Sequence, residues 1–365
     1  MPNSSAAKRF GSYNLTLRAK SEARITWVDL AKGYGIVLVV LAHAFRGLLN
    51  NDIGAWTPTT RFFDAWIYAC HMPLFFLVSG LLLPRSIEKP WRVFVSDKVR
   101  TIAYPYFIWS VITVLIKATL GSVTTNPYSL SDLPLIFYAP LDQYWFLYVL
   151  FIFLITTSAL LKSGISPWAV FLLAILIYPG ILPIASYDWS VLAETRGMAI
   201  YFALGILIGS RQNFRMISAI PRGWLILAVL VGLFVASLAG FHEFPNRDEF
   251  LPIFALSGIA AVVAFSILTD KAAFGTAFQL LGRYSLEIYL VHTIASAGVR
   301  IVLIKFAAIT AFSTHLILGT LAGIYIPIIL ALFFERIGFR FAFRLPSFTQ
   351  APSNPAFKSA WPKIG

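Results

Sequence analysis

The run Gly35-Ile-Val-Leu-Val-Val-Leu-Ala-His-Ala-Phe45 decides how this chain is read, because it is apolar enough for a bilayer and yet carries His43, with Lys32 eleven residues before it. Eleven residues make close to three helical turns, so Lys32 and His43 share one face about 16 Å apart along the axis. An ionisable side chain held at that depth costs about 2.5 kcal/mol or more when charged, and by default marks a functional site. His71 and His292 lie similarly deep in two other apolar runs.

Outward from that run the same character continues. Hydrophobic residues make up 58% of the 365, charged residues only 12%, and the mean hydropathy is +0.77. Soluble domains do not reach such values. The chain reads as an all-α polytopic membrane protein, and apolar stretches of about 17 to 25 residues mark its spans. They fall near 26–49, 61–83, 101–120, 143–161, 167–183, 197–210, 223–240, 250–268, 284–306 and 315–335, with the sixth short and the fifth interrupted by Pro179-Gly180. The expectation is therefore a bundle of about ten transmembrane helices. Residues 26–340 form that domain, and no hydrophilic stretch is long enough for a separate soluble one.

The net charge of +13 raises the question of nucleic acid, but its distribution answers it. With the N-terminus inside, 22 of the 29 Lys and Arg residues fall on cytoplasmic segments. Such a bias is the positive-inside pattern, which places both termini in the cytoplasm and leaves the basic excess to orientation and to contact with anionic lipid, not nucleic acid. Residues 1–25 read as a disordered basic cytoplasmic tail, not a cleaved signal, since they have no apolar core. Residues 341–365, rich in Ser and Pro, read as a second cytoplasmic tail. Cys70 is the single cysteine, so no intramolecular disulfide framework exists; next to His71 on a helix it points about 100° away and reads as a small hydrophobe.

The polar residues inside the spans carry the chemistry. In span one, Lys32 can snorkel to the inner surface or meet an anionic ligand, while His43 lies past the midplane. Span two contains His71-Met-Pro-Leu-Phe-Phe-Leu-Val-Ser-Gly80, in which Pro73 frees the carbonyl of Ala69 and predicts a kink, with a cavity, beside a buried histidine. Lys98 and Arg100 stand below the third span, where cations suit a phosphate or nucleotide headgroup and equally serve topology. In span nine, Ser285, Tyr289 and His292 fall on one helical face, expected to look into the bundle. Glu287 lies off that stripe, four residues after Arg283, and reads as a local ion pair. Most of the ten tryptophans read as an interfacial belt, but Trp145, in Gln143-Tyr-Trp-Phe-Leu147, opens the fourth span from outside and is placed to overhang an outward pocket. Arg46, one turn beyond His43, can hold a carboxylate or act as an interfacial anchor. The histidines are scattered over separate spans with no paired Cys or His spacing, so no metal site is expected.

At these residues the chain resembles the membrane-bound acyltransferase-3 family, in the branch of fucose 4-O-acetylases and exopolysaccharide acyltransferases. That family's hallmark is a basic residue, ten residues and then a histidine in the first span, matched here by Lys32, where arginine is commoner, and His43. Val28-Asp-Leu-Ala-Lys-Gly33, the span-two stretch, Tyr144-Trp-Phe-Leu147 and Ser285-Leu-Glu-Ile-Tyr-Leu-Val-His292 also look like family motifs in family order, over roughly residues 24 to 335. Many members carry two arginines three apart before the third span; here Asp97 precedes Arg100 with Lys98 between.

The resemblance implies transfer of an acyl group, usually acetyl from cytoplasmic acetyl-CoA, to a sugar hydroxyl of a lipid-linked or exported glycan at the bacterial inner membrane, alongside polysaccharide biosynthesis or export machinery. On that reading Lys32, Lys98 and Arg100 bind the donor, and Trp145 and Arg46 the acceptor. His43 is the general base or, by a second route, a transiently acylated nucleophile. His71, Tyr289 and His292 orient that base or stabilise the oxyanion. Succinyl or another short acyl group fits the same machinery, and a proton-coupled transporter or glycan flippase is the competing class.

Overall fold

A computed structural model describes residues 25–121, 127–179, 181, 190–209, 211–241 and 252–346, and every regular element among them is helical. In chain order these are α1 (Thr26–Leu49), α2 (Pro58–Tyr68), α3 (His71–Ser86), α4 (Trp91–Lys98), α5 (Tyr104–Leu120), α6 (Trp145–Lys162), α7 (Pro167–Leu176), α8 (Ser190–Ile208), α9 (Arg211–Ser218), α10 (Arg222–Ser237), α11 (Pro252–Leu268), α12 (Gly275–Arg283), α13 (Ser285–Ala307) and α14 (Phe312–Arg336). Eight segments among the described residues are long and apolar enough to cross a membrane, α2–α3 and α4–α5 each counting as one. Two shorter apolar helices, α7 and α11, fall where the other two spans are expected. With ten and seventeen residues they are shorter than the ~20 residues of a full crossing. Of the tails expected at 1–25 and 341–365, residues 1–24 and 347–365 lie outside the described residues.

Several boundaries differ from the sequence reading, each for a local reason. Span two is two helices, because Pro73 cannot donate to Ala69 and the chain restarts at His71 after a break at Ala69–Cys70. The expected kink is thus an interruption. Span three begins ten residues early: α4 runs through a π turn, Val99–Ala103, directly into α5. The expected Glu287–Arg283 pair is absent among the described ion pairs, since the helix breaks at Tyr284 and the two side chains no longer lie one turn apart. The C-terminal tail also starts later than expected. Arg100 Nε donates to the carbonyl of Leu345 at 3.1 Å while the Leu345 amide donates to the carbonyl of Arg100 at 3.2 Å. Trp109 Nε1 donates to Ala342 and stacks on Phe343, so the chain through Leu345 is fastened to α5.

What fixes the heights of the helices is glycine. Lipid tails offer no hydrophobic drive for helix association, so close backbone contact has to supply it. Gly80 of α3 and Gly205 of α8 face each other: a Cβ at Gly80 would collide with the carbonyl of Phe202, and one at Gly205 with that of Leu77. Gly33 of α1 and Gly282 of α12 make the same kind of contact through Phe278 and Asp29. Cys70 packs against Gly258 of α11, as expected of a small buried hydrophobe. Thus α1 and α3, the carriers of His43 and His71, are each locked in register by a neighbour.

Two outcomes follow. Gly80→Val should cost about 3 kcal/mol or more, since the obstacle is backbone that cannot turn aside, and should lower the unfolding midpoint in detergent; an unchanged midpoint refutes the tight contact. Reporters fused ahead of Thr26 and after Pro346 should both report the cytoplasm, and opposite locations would overturn the charge-based orientation.

Candidate active site: a histidine cluster open to a cavity

The three histidines singled out in the sequence meet in space. The ring of His43 lies 5.0 Å from that of His292 and 6.4 Å from that of His71, centroid to centroid, both edge-on. Tyr68 packs at 4.7 Å on His71 and 6.0 Å on His43. Three separate helices, α1, α3 and α13, contribute one imidazole each.

Each ring is held the same way. His43 Nδ1 lies 2.9 Å from the carbonyl of Val39, His71 Nδ1 2.9 Å from that of Ile67, and His292 Nδ1 2.8 Å from that of Tyr289 and 3.1 Å from that of Ile288. A carbonyl only accepts, so Nδ1 carries the proton in every case, and a neutral ring then presents a bare Nε2. For His71 the bond also serves the fold, because the break after Tyr68 leaves Ile67 near a helix end. The Nε2 atoms of His71 and His292 are buried with no hydrogen-bond partner. His43 differs: its ring is partly exposed and lines a cavity of about 670 Å³. His71 also borders that cavity but is itself fully buried, as is His292, so of the three imidazoles His43 alone is partly exposed.

The cavity draws on α1, α2, α3, α5, α8, α13, α14 and the turn before α6. His43, His71, Tyr289, Trp145 and Arg46, all foreseen from sequence, lie on its wall. His292 stands behind His43. Tyr289 is buried and donates its hydroxyl to the carbonyl of Gln143, so it acts as a strut between α13 and the turn carrying Trp145. Gln143 adds a second tie, donating to Thr293 at 2.8 Å. Arg46 is engaged as well: it forks onto the Asp64 carboxylate, Nε to Oδ1 3.0 Å, and its guanidinium lies 3.4 Å over the ring of Tyr68. Through this chain Arg46 steadies the tyrosine that backs two of the histidines.

The three expected donor-binding cations are elsewhere. Lys32 is paired with Asp29 at 3.3 Å, Lys98 lies over the ring of Phe94, and Arg100 holds Leu345. None lines the cavity.

Sequence reading missed Lys117, Asp142, Glu194, Arg300 and His315, all on the cavity wall. Lys117 bonds Asp142 at 2.6 Å, and Tyr128 donates to the other carboxylate oxygen at 3.1 Å. Burial first, then the adjacent Asp142 charge, pushes the Tyr128 phenol well above its ordinary value, so it stays a donor. Lys117 and Arg300 were findable, being cations inside apolar spans like the histidines. Asp142 and Glu194 fall in stretches that read as loops and carried no such signal.

Among known proteins, the acyltransferase-3 model, described as an acyltransferase domain, matches residues 25–332. The chain is 24% identical over 331 residues to nodulation protein NolL of Mesorhizobium japonicum, covering 82% of this chain and 84% of that protein. No solved structure matches. With most of its length matched, this chain belongs to the acyltransferase-3 family.

Proposed function

We propose that this protein is a multi-pass enzyme of the bacterial inner membrane that transfers a short acyl group, acetyl from acetyl-CoA, to a sugar hydroxyl of a glycan. The observation that carries the reading is His43: an imidazole with its Nδ1 proton committed to Val39 and its ring on the cavity wall. Membership of an acyltransferase family favours group transfer over transport, and a 670 Å³ cavity has room for a sugar beside the histidine.

In the direct route, His43 Nε2 accepts the proton of the acceptor hydroxyl as that oxygen attacks the thioester carbonyl. The C–S bond then breaks, and the imidazolium returns the proton to the departing thiolate. The products are an ester and a free thiol. A short-lived imidazolium needs its remaining N–H oriented and its charge tolerated, and the Val39 carbonyl supplies the first. His71 and His292, each fixed through Nδ1, stand edge-on to His43 with bare Nε2 atoms. They confine the ring. The second route, acyl-His43, uses the same nitrogen as nucleophile.

Lys32, Lys98 and Arg100 sit toward the end of the bundle where α1 and α5 begin, about 16 Å of helix rise from Lys32 to His43. We assign them to the donor's phosphates, with its thin arm spanning that distance. Trp145 takes the sugar face, and Arg46, through Tyr68, keeps the pocket in shape.

His43→Ala should reduce glycan O-acylation by a factor of about 10³ or more while leaving the protein inserted and folded, as measured by NMR of the surface polysaccharide and by detergent unfolding; near-normal acylation would sink the assignment. Arg46→Lys, which keeps the charge but loses the fork onto Asp64, should raise the acceptor KM more than it lowers kcat. An unchanged KM would remove Arg46 from the acceptor pocket.

A further inference from the structure

The turn before α6 is held by its two buried residues. The Gln143 carbonyl accepts from Tyr289, its side chain donates to Thr293, and the Tyr144 hydroxyl bonds both Thr113 and the carbonyl of Leu290. Asp142, the residue before them, is different. Its φ is +47°, in the left-handed region that costs a residue other than glycine and that Asn and Asp tolerate best. Its carboxylate and the Lys117 ammonium both belong to the cavity wall, with 19% of the one side chain and 17% of the other exposed. A pair needed only to brace a turn that other bonds already secure would not have to face open space.

Both side chains are only partly engaged. Asp142 Oδ2 accepts from Lys117 Nζ at 2.6 Å and Oδ1 from the Tyr128 hydroxyl at 3.1 Å, while the ammonium lies 4.6 Å over the Tyr128 ring. A carboxylate offers about four lone-pair sites and an ammonium three donors, so about two acceptor sites and at least one donor are left over, side by side. Two neighbouring hydroxyls are the complement of that set, since each gives one proton and accepts others. Hydrogen bonds to charged groups are stronger than neutral ones, and more so away from bulk water. Height agrees as well. Lys117 is one helical turn, about 6 Å, beyond Thr113, which Tyr144 ties to Leu290, two residues before His292. The pair therefore stands within about one helical turn of the histidine cluster, on the same cavity as Trp145.

We propose that the Lys117–Asp142 pair is a diol-reading subsite, which holds two adjacent hydroxyls of the acceptor, separate from the hydroxyl that His43 activates. This rests on the acyltransferase reading and deepens it: the pair decides which acceptors are taken and how they are oriented. Asp142 accepts from both hydroxyls, Lys117 donates to one of their oxygens, and Tyr128 keeps the carboxylate in place. An acceptor that lacks either hydroxyl leaves a charged group short of a partner in the cavity. Sites built in this way reject such analogues far more strongly than an apolar pocket rejects a missing methylene. The pair is a specificity determinant and takes no part in the proton transfer at His43.

The test uses the purified full-length chain in detergent micelles. Its probe is a set of oligosaccharide fragments of the surface polysaccharide from cells carrying His43→Ala, with affinity read by microscale thermophoresis. Asp142→Asn suits the positive φ and keeps an acceptor for Tyr128, so it removes the charge and not the turn; Lys117→Met removes the other partner. Each should weaken binding about tenfold and raise the acceptor KM more than it lowers kcat, with the unfolding midpoint near the parent's. Fragments whose vicinal diols have been cleaved by periodate, and the aldehydes reduced, should bind the parent more weakly, and the loss should be about tenfold smaller for Asp142→Asn. Intact fragments that fail to bind the parent, equal binding by Asp142→Asn and the parent, or the same loss on oxidation in both would each overturn the proposal. So would a lowered midpoint with the affinity of the folded fraction unchanged, which reduces the pair to a brace for the turn. If polysaccharide from His43→Ala cells keeps its acyl groups, the enzymatic reading falls; if those groups are lost and Asp142→Asn binds as the parent does, only the subsite falls.

Discussion

The site depends on the hydrogen bond from each histidine's Nδ1 to a carbonyl of its own helix. Inside a lipid-embedded bundle a ring nitrogen that carries a proton must give it to something, and water is scarce. The carbonyls of Val39, Ile67 and Tyr289 satisfy that demand from within three or four residues, so each ring is fixed by the helix that bears it. The consequence is chemical as much as structural. A neutral imidazole bonded in this way has one tautomer, and its remaining nitrogen can only accept. The three rings lie near one another, His43 5.0 Å from His292 and 6.4 Å from His71 between centroids, and each keeps its Nδ1 proton on its own helix.

The cluster would not assemble without the close helix contacts. Histidines on α1, α3 and α13 are brought together by backbone approaches that only glycine permits, α3 against α8 at Gly80 and Gly205, α1 against α12 at Gly33 and Gly282. The second contact also sets α13, which follows α12 after the break at Tyr284. Around the cluster a second set of ties runs through the turn before α6. Tyr289 and Thr293 of α13 hold Gln143, Tyr144 reaches both α5 and α13, and Lys117 with Tyr128 holds Asp142. Every one of these is a polar bond at the rim of the same cavity. They tie the turn before α6 to α5 and α13, next to Trp145 on the cavity wall.

Particular residues mark how far the sequence was legible. His43, His71 and His292 stood out because an ionisable group in an apolar run is expensive, and the structure joins them. Pro73 foretold the disturbance beside His71, though as a break and not a bend. Tyr289 was rightly placed on the inward face with His292, but its hydroxyl proved to be a strut, since the carbonyl it meets belongs to a residue 146 positions away. Glu287 and Arg283 failed as a pair because a helix boundary fell between them, and boundaries are the part of a pattern that periodicity defines least. Arg100 stood out by its charge alone, and the structure adds that its Nε fastens the chain at Leu345.

By itself the sequence determined the class of the molecule and the family. Hydropathy over twenty-residue windows fixes which segments prefer lipid, and a basic residue followed at three turns by a histidine fixes the first-span motif; both are properties of local order along the chain. Only the tertiary structure decided which polar groups meet. That three distant imidazoles share one centre, that Arg46 is engaged by Asp64 and Tyr68, and that Lys32 stays with Asp29 outside the cavity all depend on helix heights and rotations. Those are set by glycine-to-backbone contacts and inter-helix hydrogen bonds between residues far apart in the chain, and no spacing within a single helix encodes them.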